Sequence, residues 1–258
     1  MIKVSIITVC KNSEDTIEAT ILSVLEQKYP NIEYIIIDGD STDNTNNIIS
    51  KYQQSISKII SEKDQGEYFA MNKGLKMATG DIVGFLCADD TLASNNVINK
   101  IVKSFGKDNI NIVWGDVLIV SRLDKSKISR YYSGNRFKKN KFKFGLMPPH
   151  PSIYIKRELL LKSKGFDVSF KISADFDLIS RIITNKNVNS RYIPKIIVYM
   201  KSGGVTNSSL KNKLLLNYEI YKSNLKNKIT ANPFLLLFKV PVRLLELIKK
   251  PGHGAIIK

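Results

Sequence analysis

Gly80-Asp81-Ile82-Val83-Gly84-Phe85-Leu86-Cys87-Ala88-Asp89-Asp90 is the stretch whose reading decides the fold. Residues 82–87 form an apolar run of strand length, opened by Gly80-Asp81 and closed by two carboxylates. Such a run reads as a strand buried on both faces, at the centre of a parallel sheet. Ligands of open α/β sheets bind outside the carboxyl ends of the strands, so Asp89 and Asp90 are expected at the rim of a crevice. Adjacent carboxylates repel each other. A hard divalent ion, held by one or two carboxylates and by substrate phosphates, offsets that repulsion. The pair also suits the start of a helix, where Asp is favoured. The surrounding chain has to decide between the two.

Working outward, residues 3–10 read as a strand, followed by a helix to about residue 27 capped by Asn12 or Ser13 and stopped by Tyr29-Pro30. A strand over 34–38 ends in Asp38-Gly39-Asp40-Ser41-Thr42-Asp43 and leads into a helix over 44–52. A short strand over 57–61, the turn Asp64-Gln65-Gly66 and a helix over 69–78 come next; beyond the quoted stretch lies a helix over 95–105. This alternation predicts an α/β fold with a doubly wound, mostly parallel sheet over about 1–115. The second half is less regular. Strand-like 112–114 and 117–120 flank Gly115-Asp116, and 153–155 is another strand. Helices are expected over 158–163 and 174–184, then a strand over 192–200 that Pro194 marks as an edge or a bulge. Two further helices, 210–225 and 233–249, close the chain.

The net charge of +17 on 258 residues is the unusual bulk property, concentrated in 130–143 and after Lys201. It points to nucleic acid, an anionic membrane or phosphorylated substrates, and is silent on fold. Cys10 and Cys87 end predicted buried strands and read as core residues of a reduced, cytoplasmic protein. No signal peptide is visible, and no run reaches the ~18 apolar residues of a membrane span.

The polar clusters fall at the ends of successive strands: Thr8-Val9-Cys10-Lys11-Asn12, Asp38 to Asp43, Asp64-Gln65-Gly66 and Ala88-Asp89-Asp90. Together with Ala70-Met71-Asn72-Lys73-Gly74, Ala78-Thr79-Gly80-Asp81 and Ser173-Ala174-Asp175-Phe176-Asp177-Leu178 plus Arg181, this order resembles the family 2 inverting glycosyltransferases. Their fold is GT-A-like, that of the nucleotide-diphospho-sugar transferases. The likeness covers roughly residues 1–200 and is nearest to bacterial enzymes that build surface polysaccharide, such as O-antigen or capsule, on a lipid carrier.

The resemblance implies a nucleotide-sugar donor (a UDP-sugar), a glycan or lipid-linked sugar acceptor, and Mn2+ or Mg2+ as divalent metal. It implies Asp38 at the base, with the backbone of Thr8 and Val9 beside it, and Asp64, Asn72 and Lys73 bordering the nucleotide. Asp90 would hold the metal, Asp89 the ribose or metal, and Asp175 would be the general base. The chain departs from the family in having Gly39 and Ala174 where a second acidic residue is common. No Gln follows Gln65, so the Gln-x-x-Arg-Trp motif of processive members is absent, which favours single-residue transfer.

Helical spacing puts Asp175 with Leu178, Ile179 and Ile182 at a partly buried, cleft-facing edge, and Asp177 with Ser180, Arg181 and Thr184. His150 in a proline-rich loop is either a loop histidine or a contact to diphosphate, metal or acceptor. Trp114 and Asp116 line the acceptor side, with a core tryptophan as the equal alternative for Trp114. The basic, aromatic loop over 130–144 interleaves as single-strand nucleic-acid binders do; closure over phosphates is the preferred reading, so no nucleic acid partner is expected. The helix over 233–249, greasy on one side and interrupted by charges, suits a peripheral site at the cytoplasmic membrane face, or docks on the domain. A catalytic domain over 1–205, split near 115/116, with an extension over 206–258, follows as the expected organisation. A sugar nucleotidyltransferase is the alternative enzyme. It needs a Gly-rich phosphate loop after the first strand, and 8–16 contains no glycine.

Overall fold

The computed structural model describes residues 1–106, 109–121, 128–135, 137–203 and 209–239. Among these, nine strands form one sheet in the order β3-β2-β1-β4-β8-β6-β9-β5, with β7 on β6. The strands are β1 Val4–Cys10, β2 Ile32–Asp38, β3 Lys58–Ser61, β4 Ile82–Phe85, β5 Thr91–Leu92, β6 Ile112–Val120, β7 Ile128–Tyr132, β8 Tyr154–Lys156 and β9 Ser190–Lys201. The helices are α1 Ile17–Leu25, α2 Thr45–Ser50, α3 Glu67–Met77, α4 Val97–Phe105, α5 Arg157–Lys162, α6 Ala174–Ile183 and α7 Leu210–Lys226.

Successive side chains of a strand point to opposite faces, and both faces here are apolar. Ile6, Tyr34, Ile36 and Ile82 pack on α1, α2 and α4. Ile7, Ile35, Ile37 and Val83 pack on α3 and α6. This double burial is why β1, β2 and β4 read as continuous apolar runs. Strands β3, β2, β1 and β4 are mutually parallel, as the alternation predicts. The sheet then changes sense: β8 runs antiparallel to β4 and β6, and only the β6–β9 pair is again parallel.

The two strand-like pieces around Gly115-Asp116 are one strand, β6. The register jumps there, from Trp114 opposite Tyr192 to Asp116 opposite Ile196. Pro194, which has no N–H to donate, lies within the unpaired residues. It therefore marks a bulge inside the sheet, since β9 has β6 on one side and β5 on the other. The expected cap at Asn12 or Ser13 is not formed: α1 starts after Thr16, and Asn12 takes a left-handed conformation with φ 49°.

Gly84 sits opposite Tyr154 in the β4–β8 ladder, and a Cβ there would lie 2.3 Å from the Tyr154 ring. Only a glycine lets the ring cross the strand. Gly84→Ala is expected to cost about 1–3 kcal/mol by overpacking, read as a lower denaturant midpoint. An unchanged midpoint would contradict the crossing.

Candidate active site

The carboxyl ends of β1, β2 and β4 open on a cleft of ≈ 900 Å³. Its walls include Val9, Lys11, Asn12, Gly39, Asp64, Gly66, Glu67, Ala70, Cys87, Asp89 and Lys201. Two loops form one side and are stitched together. Asn12 Oδ1 accepts from the Thr42 amide at 2.9 Å and the Asn12 amide donates to Ser41 Oγ at 2.8 Å. The Asn44 amide donates to Glu14 Oε2 at 2.9 Å, and the Glu14 amide to Asp43 at 3.1 Å.

Asp38 organises this side from within. It is fully buried and accepts from the Ser41 amide and hydroxyl, Ser61 Oγ at 2.7 Å and Asn46 Nδ2 at 3.0 Å. Burial works to raise its proton affinity, but these donors outweigh it and hold the carboxyl below the usual range. With its oxygens engaged it braces the loop from beneath the place where the base is expected. Thr8 is likewise enclosed, its hydroxyl taken by Tyr34 at 3.1 Å, whereas Val9 does line the cleft.

On the next wall Asp64 accepts from Lys73 Nζ at 2.6 Å, and its Oδ2 is buried with no hydrogen-bond partner. Lys73 also pairs with Glu62 at 2.6 Å. Asn72 turns away from the nucleotide side. Its amide clasps the backbone of Phe166, donating at 2.8 Å and accepting at 2.8 Å.

At the end of β4 the two aspartates part company. Asp89 lines the cleft, while Asp90 is 1% exposed and its Oδ1 has no partner. Burial first, then Asp89 and Glu67, push the Asp90 carboxyl well above the usual range, against the backbone N–H and charge of Lys201. Asp89 is therefore the carboxylate of the pair that an ion arriving with substrate would reach first, and Asp90 the enclosed one behind it.

Glu67 opens α3 and faces the same space. Burial, Asp175 and Asp89 raise its carboxyl, and His150 opposes the rise. Asp175, in the first turn of α6, is raised by burial and lowered by His150, whose Nδ1 lies 3.5 Å from Asp175 Oδ2. Glu67, Asp89, Asp90 and Asp175 thus concentrate negative charge, an arrangement that a cation and donor hydrogen bonds would relieve. Asp89, hard and reachable, fits a divalent ion that takes its remaining ligands from a diphosphate. No ready-made cage of three ligating side chains exists among the described residues.

The remaining expectations divide. Asp177 pairs with Arg181 at 2.9 Å as its spacing predicts, but it is fully buried because α7 covers it. Ser223 Oγ at 3.1 Å and Asn227 Nδ2 at 3.0 Å donate to it. Trp114 and Asp116 are both enclosed. Trp114 is 5% exposed, with its indole N–H on Gly134 O and its ring edge-on to Phe137. Asp116 is 1% exposed and accepts from Tyr131, Tyr192 and the Gly134 amide. Both tie β6 to the segment after β7. Glu67 and Lys201 had escaped the sequence reading. Glu67 adjoins Asp64-Gln65-Gly66, which is signal enough to include it; Lys201 reaches the cleft only through the β6–β9–β5 pairing.

Comparison with known proteins places this geometry. The model of the family "Glycosyl transferase family 2" matches residues 5–161. An uncharacterized glycosyltransferase of Mycobacterium tuberculosis is 33% identical over 183 residues, 69% of this chain and 68% of the relative. The Escherichia coli UDP-Glc:alpha-D-GlcNAc-diphosphoundecaprenol beta-1,3-glucosyltransferase WfgD is 30% identical over 188 residues, 72% of each. Staphylococcus aureus TarS 1-349 in complex with UDP superposes with a TM-score of 0.64 at 19% identity. That match covers 86% of this chain and 65% of TarS 1-349, so the chain spans a little under two thirds of it. The mannosyltransferase PcManGT from Pyrobaculum calidifontis, solved with GDP-Man and Mn2+, gives 0.66 at 20% identity, covering 94% of this chain and 70% of its own. The two structures carry the fold, which is GT-A-like, and the sequence matches carry the family. The chain therefore belongs to glycosyl transferase family 2 and is a glycosyltransferase.

Proposed function

We propose that the chain is a metal-assisted, inverting transferase that moves one sugar from a UDP-sugar to a hydroxyl of a lipid-linked glycan. The observation that carries this reading is the division of carboxylates: Asp89 on the donor cleft, Asp175 on another element beside His150. WfgD, by its name, uses UDP-Glc and a diphosphoundecaprenol-linked acceptor, which supports the donor and acceptor classes. Val9, Gly39, Asp64 and Gly66 would hold the nucleoside, and Lys11 and Lys201 would meet the diphosphate. A divalent ion on Asp89, when bound, offsets charge on the departing diphosphate. Asp175 takes the proton of the acceptor hydroxyl as its oxygen bonds the anomeric carbon and the bond to the diphosphate breaks. Attack from the face opposite the leaving group inverts that carbon. A panel of nucleotide sugars, with liberated nucleotide measured and product anomer assigned by NMR, tests the proposal. Release only from non-uridine donors, or a retained anomer, would count against it.

The site is proposed to work at the cytoplasmic membrane face. No helix among the described residues is long and apolar enough to cross a membrane. Leu214, Tyr218 and Leu225 on α7 are exposed, as are Phe234, Leu237 and Phe238 of the 3-10 turn Pro233–Phe238. Leu236 of that turn is buried, so it is moored to the domain while presenting apolar side chains. Lys211, Lys213 and Lys222 on α7 add the positive charge that anionic lipid attracts. Most of the greasy helix expected over 233–249 lies outside the described residues. Truncation before Asn232 is expected to leave a folded protein that sediments less with anionic vesicles; equal sedimentation would refute that role.

A further inference from the structure

Asp175 is held between two side chains from distant parts of the chain. On one side stands His150, its Nδ1 3.5 Å from Asp175 Oδ2, in a turn flanked by Pro149 and Pro151. Behind the helix stands Glu219 of α7, 4% exposed. Its carboxylate accepts from three consecutive amides, Lys171 at 2.7 Å, Ile172 at 3.0 Å and Ser173 at 3.0 Å, and from Ser173 Oγ at 3.1 Å. Ser173 makes no side-chain cap of its own, so Glu219 satisfies the backbone leading into α6. Asp175 lies two residues on. The other titratable groups coupled to it are Glu67 and Tyr68 at the start of α3.

We infer that His150 and Glu219 are positioning residues for Asp175: the imidazole beside its carboxylate fixes the direction of that side chain, while Glu219 clamps the start of its helix. This rests on the proposed role of Asp175 as base. A base works best when its proton affinity lies near the operating pH. Burial alone would leave Asp175 protonated too readily, and a bare ion pair would make it too weak a base. The directions found for Asp175 agree, His150 lowering and Glu219 raising its affinity. Neither residue needs to touch a reacting atom.

The sign of each effect separates this from a structural role. Transfer requires ionised Asp175, so kcat/KM falls as pH drops through its titration. An imidazole holds its proton in that acid range. Removing it with His150→Gln is expected to move the acid limb to higher pH, and His150→Lys, which restores a cation, to bring it back. Removing the negative charge with Glu219→Gln is expected to move the limb to lower pH. The measurement is the pH profile of nucleotide release by full-length protein, with thermal unfolding of each variant alongside. An acid limb that stays in place in His150→Gln, with only the height of the profile changed, would overturn the inference. So would limbs of His150→Gln and Glu219→Gln that move the same way. If Glu219→Gln does not fold, the His150→Gln and His150→Lys pair decides alone. Asp175→Asn distinguishes the underlying reading. Transfer surviving in it removes the base role itself; transfer lost in it, beside an unmoved limb in His150→Gln, removes only this inference.

Discussion

Asp175→Asn is expected to lose sugar transfer by ~10²–10⁴-fold, the usual worth of a positioned base. That corresponds to about 3–5 kcal/mol of barrier. The substitution keeps the shape of the side chain and the first turn of α6 while removing the proton acceptor. Donor affinity is expected to survive, because the proposed nucleoside walls come from the ends of β1, β2 and β3 and not from α6. Initial rates and calorimetric titration of the nucleotide would show the two quantities parting. Asp177→Asn supplies the contrast. Asp177 is enclosed and bound by Arg181, Ser223 and Asn227, so its loss should appear as a lower unfolding temperature with much less change in transfer. Exchanged phenotypes would make Asp177 the base.

The second large effect belongs to Asp89. Asp89→Asn removes the one charge at the end of β4 that lines the cleft, and a loss of about 10²–10³ in kcat is expected for a preorganised electrostatic group. Excess chelator should reproduce the loss in the unaltered protein, and added Mn2+ or Mg2+ should reverse it. Asp90→Asn is expected to be milder, since Asp90 is enclosed and Asp89 is the one of the pair that lines the cleft. A milder Asp89→Asn than Asp90→Asn would return the metal to Asp90. Activity indifferent to chelator in every variant would remove the ion altogether.

Much of the site was legible because strand-end loops are local signals. Asp38, Asp64, Asp89 and Asp175 each follow or open an element whose period and punctuation are visible within a dozen residues. What those residues do was less legible. Asp38 has the same sequence context whether it meets a base or braces a loop, and only Ser61 and Asn46, from outside its own turn, decide for bracing. Asn72 is spent on Phe166, a residue far along the chain that no local pattern links to it. The basic loop over 130–144 in fact donates Phe137 and Phe142 to the core, where their rings meet edge to face.

From the amino-acid order alone came the parallel strands β1 to β4, the helices on both faces, the row of polar loops at one sheet edge and the family. These follow from side-chain alternation and turn chemistry, which act between near neighbours. Only the tertiary structure decided which carboxylate of Asp89-Asp90 faces the cleft and that Trp114 and Asp116 belong beneath the surface. It alone brought Glu67 and Lys201 to one cleft, and His150 and Glu219 to Asp175. A carboxylate's direction and charge state depend on the donors and charges within a few ångströms, and in this fold those come from α3, α7, β9 and the turn at His150–Ser152, which only packing brings together.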